Sequence, residues 1–135
     1  MKPLFLDTGY VIALEAVDDQ HHEEAIKHWR GLLRKVPTLV TTTYVVNEIA
    51  TFFNSRNRHA KAVEIINRLK SSSSVQIVHV SEKLFDASWE YFKKHSDKMY
   101  SLTDCASFVT MEEMKIEAAL AFDQHFIQAG FKKLP

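Results

Sequence analysis

The sequence predicts an α/β domain built on a parallel sheet, and two observations carry this. Short apolar or β-branched runs at residues 4–6, 38–42, 75–80 and 118–122 alternate with longer stretches whose apolar residues recur at helical spacing. Two of those runs lead into an acid, Asp7 and Asp123. In parallel sheets, ligands bind beyond the carboxyl ends of the strands, which is where both acids would stand.

Leu4, Phe5 and Leu6 form a continuous apolar run, read as a buried strand that Asp7 ends. Thr8 is placed to cap a helical stretch over 10–14, which stops near 16–19. From 19 to 35, Ala25, Ile26, Trp29, Leu32 and Leu33 recur between charges, an amphipathic helix ended before Pro37. Residues 38–42 are β-rich and bounded by that proline, which gives a second strand. The helix expected over 43–55 is apolar on more than one side. Val45, Ile49 and Phe52 form one stripe, Val46, Ala50 and Phe53 another, and Tyr44 adds to them. One stripe would pack on the sheet and the other would meet a partner.

Residues 58–70 make a further amphipathic helix, with Ala62, Ile65, Ile66 and Leu69 inward. The run 75–80 is the clearest strand, and Ser81 with Leu84, Phe85 and Trp89 opens a helix reaching about residue 95. A helix over 103–114, the strand at 118–122, a short helix at 124–128 and an edge strand after Gly130 complete the chain.

At 135 residues the chain is long enough for a real core and too short for two domains, so 1–135 is read as one domain. Lys plus Arg equals Asp plus Glu, 17 of each, which excludes a broadly basic nucleic-acid binder while permitting local basic patches. The single Cys105 forms no internal disulfide, so no oxidising compartment is needed. Asp7 cuts the first apolar run short of a signal-peptide core, and no run approaches the roughly 20 residues of a membrane span. A cytoplasmic protein without membrane association is the expectation.

Asp104 has Phe108 and Met111 four and seven residues on, so it lies on the stripe that faces the core. Glu48 has Tyr44 and Phe52 four residues to either side; a solvated helix glutamate is the ordinary reading of such a residue, and this apolar setting argues against it. A buried carboxylate costs on the order of several kcal/mol unless it is paired or metal-bound. Helices starting from the sheet rim would bring Asp104 and Glu48 close to Asp7 and Asp123. Four acids in one crevice repel one another, and a divalent cation is the physical remedy. Ligation by oxygen alone points to Mg²⁺ or Mn²⁺ rather than Zn²⁺. The natural chemistry of such a site is hydrolysis of a phosphodiester.

Other chemistries fit less well. Asp7-Thr8-Gly9 spells an aspartic-protease signature, but that fold is all-β and needs a second, matching Asp. A haloacid-dehalogenase-type phosphatase wants an Asp where Gly9 stands. His22-Glu-Glu-Ala-Ile26 lacks the second His of a helical zinc site. Cys105 has no apparent base partner and reads as a small buried residue.

The stretches Phe5-Leu-Asp7-Thr-Gly-Tyr-Val-Ile-Ala, Val46-Asn-Glu48-Ile-Ala, Ser101-Leu-Thr-Asp104-Cys-Ala-Ser-Phe and Ala121-Phe-Asp123-Gln-His-Phe, with Gly130-Phe131 after them, resemble in order and spacing the PIN (PilT N-terminus) domain nucleases. The small VapC-type toxins of toxin–antitoxin pairs are the most similar group. The resemblance implies a three-layer α/β/α sandwich with a central parallel sheet of four to five strands. It implies that Asp7, Glu48, Asp104 and Asp123 bind the catalytic Mg²⁺ or Mn²⁺ and that the Thr8 hydroxyl supports them. It further implies an endoribonuclease with RNA as substrate, a cognate antitoxin covering the crevice, and a homodimer.

One departure stands out, because many relatives have Thr two residues before the last acid and this chain has Ala121. Thr103 and Ser107 are the candidate replacement hydroxyls. Arg56, Arg58 and Lys61, with Lys132 and Lys133, are candidate RNA contacts, against the ordinary reading of a solvated helix face. His125 could touch a substrate phosphate or act as a cap. Two alternatives stay open: a housekeeping PIN nuclease of RNA maturation or DNA processing, and a non-catalytic PIN module used for binding.

Overall fold

The computed structural model describes residues 2–135. Five parallel strands form one sheet: β1 (Leu4–Leu6), β2 (Leu39–Thr42), β3 (Val75–Val78), β4 (Ala118–Leu120) and β5 (Lys132–Leu134), in the order β3-β2-β1-β4-β5. The chain steps outward from β1 through β2 to β3, then returns to the other side of β1 for β4 and β5. The order therefore reverses between β1 and β4, where Phe5 pairs with Ala119 and Leu6 with Leu120. A crevice opens at such a switch point because successive connections leave in opposite directions.

Among the described residues seven helices connect the strands: α1 (Thr8–Glu15), α2 (His22–Leu32), α3 (Thr43–Asn54), α4 (His59–Ser71), α5 (Glu82–Lys94), α6 (Leu102–Met114) and α7 (His125–Gln128). Side chains alternate across β1 and so separate two helical layers. Leu6 meets a trough shared with Val11 and Leu14 of α1, Trp29 of α2, and Ile65 and Leu69 of α4. Phe5 turns the other way, its ring 6.1 Å from Phe126 of α7, which in turn lies 5.1 Å from Phe108 of α6. The three-layer α/β/α sandwich with a parallel sheet is thus present, with five strands. Among the described residues no helix is long and apolar enough to cross a membrane.

Several expectations shift. The run that looked the clearest strand, 75–80, is the edge strand β3, shorter and partly exposed along its length. Alternating residues mark a half-covered edge, so clarity in sequence meant less burial. The inward stripe of α3 is Val45, Ile49 and Phe53, all fully buried; Phe52 is half-buried at the edge of the core, beneath the Arg56 guanidinium 3.7 Å away. Spacings of three and four are both compatible with one helical face, so the sequence left these two phenylalanines interchangeable. α2 begins later than expected because the Asp19 carboxylate accepts from the His21 N–H at 2.9 Å and makes a turn first. Thr8 does not cap α1: Asp7 occupies the cap position without a side-chain cap bond, and the Thr8 hydroxyl donates elsewhere.

Candidate active site

Each acid is placed by a local device. Thr41 donates its hydroxyl to the Leu6 carbonyl at 2.8 Å, and the Asp7 N–H donates to the Leu120 carbonyl at 3.1 Å. The residue after β1 is thereby pinned between its two neighbouring strands. Glu48 lies in the second turn of α3, whose start is fixed by Thr42 accepting from the Val45 N–H at 3.3 Å. Its carboxylate accepts the Thr8 hydroxyl at 2.8 Å. Asp104 closes a capping box with Ser101: the Asp104 N–H donates to the Ser101 hydroxyl at 3.0 Å, and the Ser101 N–H to the Asp104 carboxylate at 3.1 Å. Asp123 follows β4 and accepts the His125 N–H at 2.8 Å, which starts α7.

These acids line one crevice of about 530 Å³ together with Asp19, Gln20, His21, Met99 and Phe122. Asp7 is 5% exposed. Burial, then the charges of Asp123 and Asp104, push its carboxyl well above the usual range, partly offset by the Thr8 N–H. Asp104 is also raised, chiefly by burial and further by Asp123, against the lowering effect of the Ser101 N–H and of His125. Among the described residues the crevice lining contains no Lys or Arg.

This donor set fits a divalent cation. Asp104, Asp123 and His125 offer ligand atoms that all lie within 4.8 Å of one another. Asp7 and Glu48 share the crevice but stand outside that tight group. One nitrogen stands beside these carboxylates: His125 Nδ1 lies 2.8 Å from the Asp104 carboxylate, which it contacts directly, and 3.8 Å from that of Asp123. α7 begins directly behind Asp123 and turns the imidazole over Asp104.

The other expected site residues are not gathered here. Ser107 is fully buried and donates to the Thr103 carbonyl at 3.0 Å, one turn deeper in the core than Asp104. Neither it nor Thr103 lines the crevice. Arg56 lies two residues beyond the end of α3, and neither it nor Arg58 lines the crevice. Lys61 pairs with Glu15 at 3.0 Å. Cys105 is buried, and burial followed by the Asp104 charge pushes its thiol up to about 11, the opposite of an activated nucleophile. Sequence reasoning missed Asp19, His21 and Met99, because nothing in periodicity reveals which loops fold over a sheet edge.

A PIN domain family model matches residues 4–132. The chain is 34% identical over 128 residues to the 23S rRNA-specific endonuclease VapC20 of Mycobacterium tuberculosis, covering 95% of each chain. The crystal structure of that protein, described as a Sarcin-Ricin loop cleaving toxin, is similar with a TM-score of 0.86 and 33% identity over 95% of both chains. FitAcB from Neisseria gonorrhoeae is similar with a TM-score of 0.66 over 98% of this chain and 96% of that one; at 17% identity this is a likeness of fold alone.

Proposed function

Because the chain belongs to the PIN domain family, we propose that it is a metal-dependent endoribonuclease, the toxin of a VapBC-like toxin–antitoxin pair. The observation that carries this is the gathering of Asp7, Glu48, Asp104 and Asp123 from four separate segments into one crevice at the switch point. A divalent cation there supplies charge neutralisation for a phosphodiester and makes water more acidic. The carboxylates would hold that cation, and their predominance favours Mg²⁺ or Mn²⁺. Thr8 fixes the Glu48 carboxylate, and His125 fixes that of Asp104. Such outer contacts orient ligands and sustain affinity. Without a cation the acidic lining would repel an RNA phosphate. The cytoplasm, where RNA is abundant, is the compartment of action.

The purified protein is expected to produce discrete new 5′ ends in total RNA with Mg²⁺ or Mn²⁺ and none in a chelator, mapped by 5′-end sequencing. Ribosomal RNA is the first class to inspect, given the relative's substrate. Cleavage that ignores the chelator would sink the metal reading. Digestion of DNA alone would favour the housekeeping alternative, and RNA binding without any cut the non-catalytic one.

Two surfaces support protein partners. The trough walled by Val11, Leu14, Trp29, Leu33, Ile65 and Leu69, about 270 Å³ in volume, would take an apolar antitoxin segment. On α5, Phe85, Trp89 and Phe92 are 40%, 44% and 38% exposed, and the last two rings stack at 5.6 Å. Glu82 and Asp86 lie in the first half of α5, with Lys93 and Lys94 at its end. Lys83 and Glu90 lie on α5 as well, and Lys93 already pairs with Glu90 at 2.8 Å, so it is the aromatic stripe that an antiparallel α5 of a second copy would cover. Trp89→Glu is expected to convert a dimer to a monomer in sedimentation, weakening association roughly thirtyfold or more. A variant that sediments like the wild type would remove α5 from the interface.

A further inference from the structure

The rim of the crevice holds three near-parallel rings. Tyr10 of α1 stacks with Phe122 at 5.8 Å and 14°, and Phe122 stacks with His21 at 4.4 Å and 3°. They are graded in burial: Tyr10 is fully buried, Phe122 half-buried, and the His21 side chain 39% exposed. The buried end is fixed, since the Tyr10 hydroxyl lies 2.7 Å from His28 Nδ1 and its ring meets Trp29 edge-on. The exposed end is fixed too, through the His21 N–H on Asp19 and the Ala25 N–H on the His21 carbonyl, both at 2.9 Å. His21 and Phe122 both line the crevice, and Phe122 immediately precedes Asp123.

We propose that the exposed His21 ring is a landing site for an unstacked nucleobase flanking the scissile phosphate. This deepens the ribonuclease reading and rests on it. A crevice lined by five carboxylates and no Lys or Arg offers a nucleotide little beyond its cation-held phosphate. A prearranged aromatic surface is the remaining means of gripping the base, and it acts by area rather than charge. His21 and Phe122 line the same crevice as the acids, so a base on this stack shares the pocket in which the phosphate would be held. Such stacking is sequence-tolerant because every base has a π-face. It requires the base to be out of a duplex. Gln20, exposed on the same rim, offers an amide to the base edge.

The test begins once the cut has been mapped. A short RNA spanning it is compared with two versions carrying an abasic ribose on the 5′ or the 3′ side of the scissile phosphate. Steady-state cleavage is measured with wild type, His21→Ala and His21→Phe. One abasic position is expected to raise the wild-type KM roughly ten- to hundredfold with kcat unchanged. His21→Ala should raise KM similarly on intact RNA and add nothing on that abasic RNA, while His21→Phe restores the wild-type KM. An unchanged KM in His21→Ala, or losses that multiply, would overturn the base site and leave the nuclease reading standing. A wild type that cuts no RNA at all would overturn both.

Discussion

Asp7→Asn is expected to abolish RNA cleavage, by a factor on the order of a thousand, and yet to stabilise the metal-free protein at neutral pH. The two effects share one cause. Asp7 is buried and faces other carboxylates, so its folded-state value is raised well above the ordinary 3.8. A carboxyl shifted in that direction contributes stability that is complete below the ordinary value and disappears as pH rises through the raised one. Asparagine keeps the shape and removes the titration. In a chelating buffer the melting temperatures of variant and wild type should be close near pH 4, with the variant pulling ahead as pH increases. The gap should widen as pH climbs through the raised value of Asp7 and be largest at neutral pH. Divalent cation should narrow or reverse it, because only the wild type keeps the full ligand set. A variant that melts below the wild type at pH 7 without metal would show that Asp7 is not under repulsion.

Phe108→Ala is expected to destabilise the fold by about 3–5 kcal/mol, measured by urea unfolding. The Phe108 ring is fully buried and lies 5.0 Å from Tyr100, 5.1 Å from Phe126, 5.7 Å from Tyr91 and 5.8 Å from Phe131. It joins α5, α6 and α7 to the sheet. Asp104 stands one turn before it on α6, and His125 stands beside its partner Phe126, so a cavity here loosens the 2.8 Å contact between Asp104 and His125. Cleavage should fall along with stability. A loss below about 1 kcal/mol would mean that the neighbouring rings refill the space.

Much of this was readable from residue order. Asp7 and Asp104 announced themselves because carboxylates at strand ends or on apolar stripes are costly to bury, and both are buried; Asp123 was marked by its strand-end position alone and is exposed, yet it lines the same crevice with Glu48. The alternation of runs gave the parallel sheet. Loop geometry was not readable. Asp19 looked like the start of a helix and instead makes the turn that brings His21 over Phe122. Ser107 looked close to Asp104 in sequence, but one helical turn carries it inward to bond Thr103. Arg56 and Lys61 read as free cations near a functional helix; one stacks on Phe52 and the other pairs with Glu15, both away from the acids. Spacing fixes which face a residue takes within its own element, whereas these outcomes depend on how far an element travels and what it meets.

β1 is hydrogen-bonded along both edges, to β2 and to β4, while β3 and β5 form the sheet's outer margins. Fraying of a sheet starts at its margins, where each strand has only one neighbour to lose. The segment that delivers Asp7 is therefore among the last to come free. Opening confined to the margins leaves in place the strand end that forms the floor of the acid pocket.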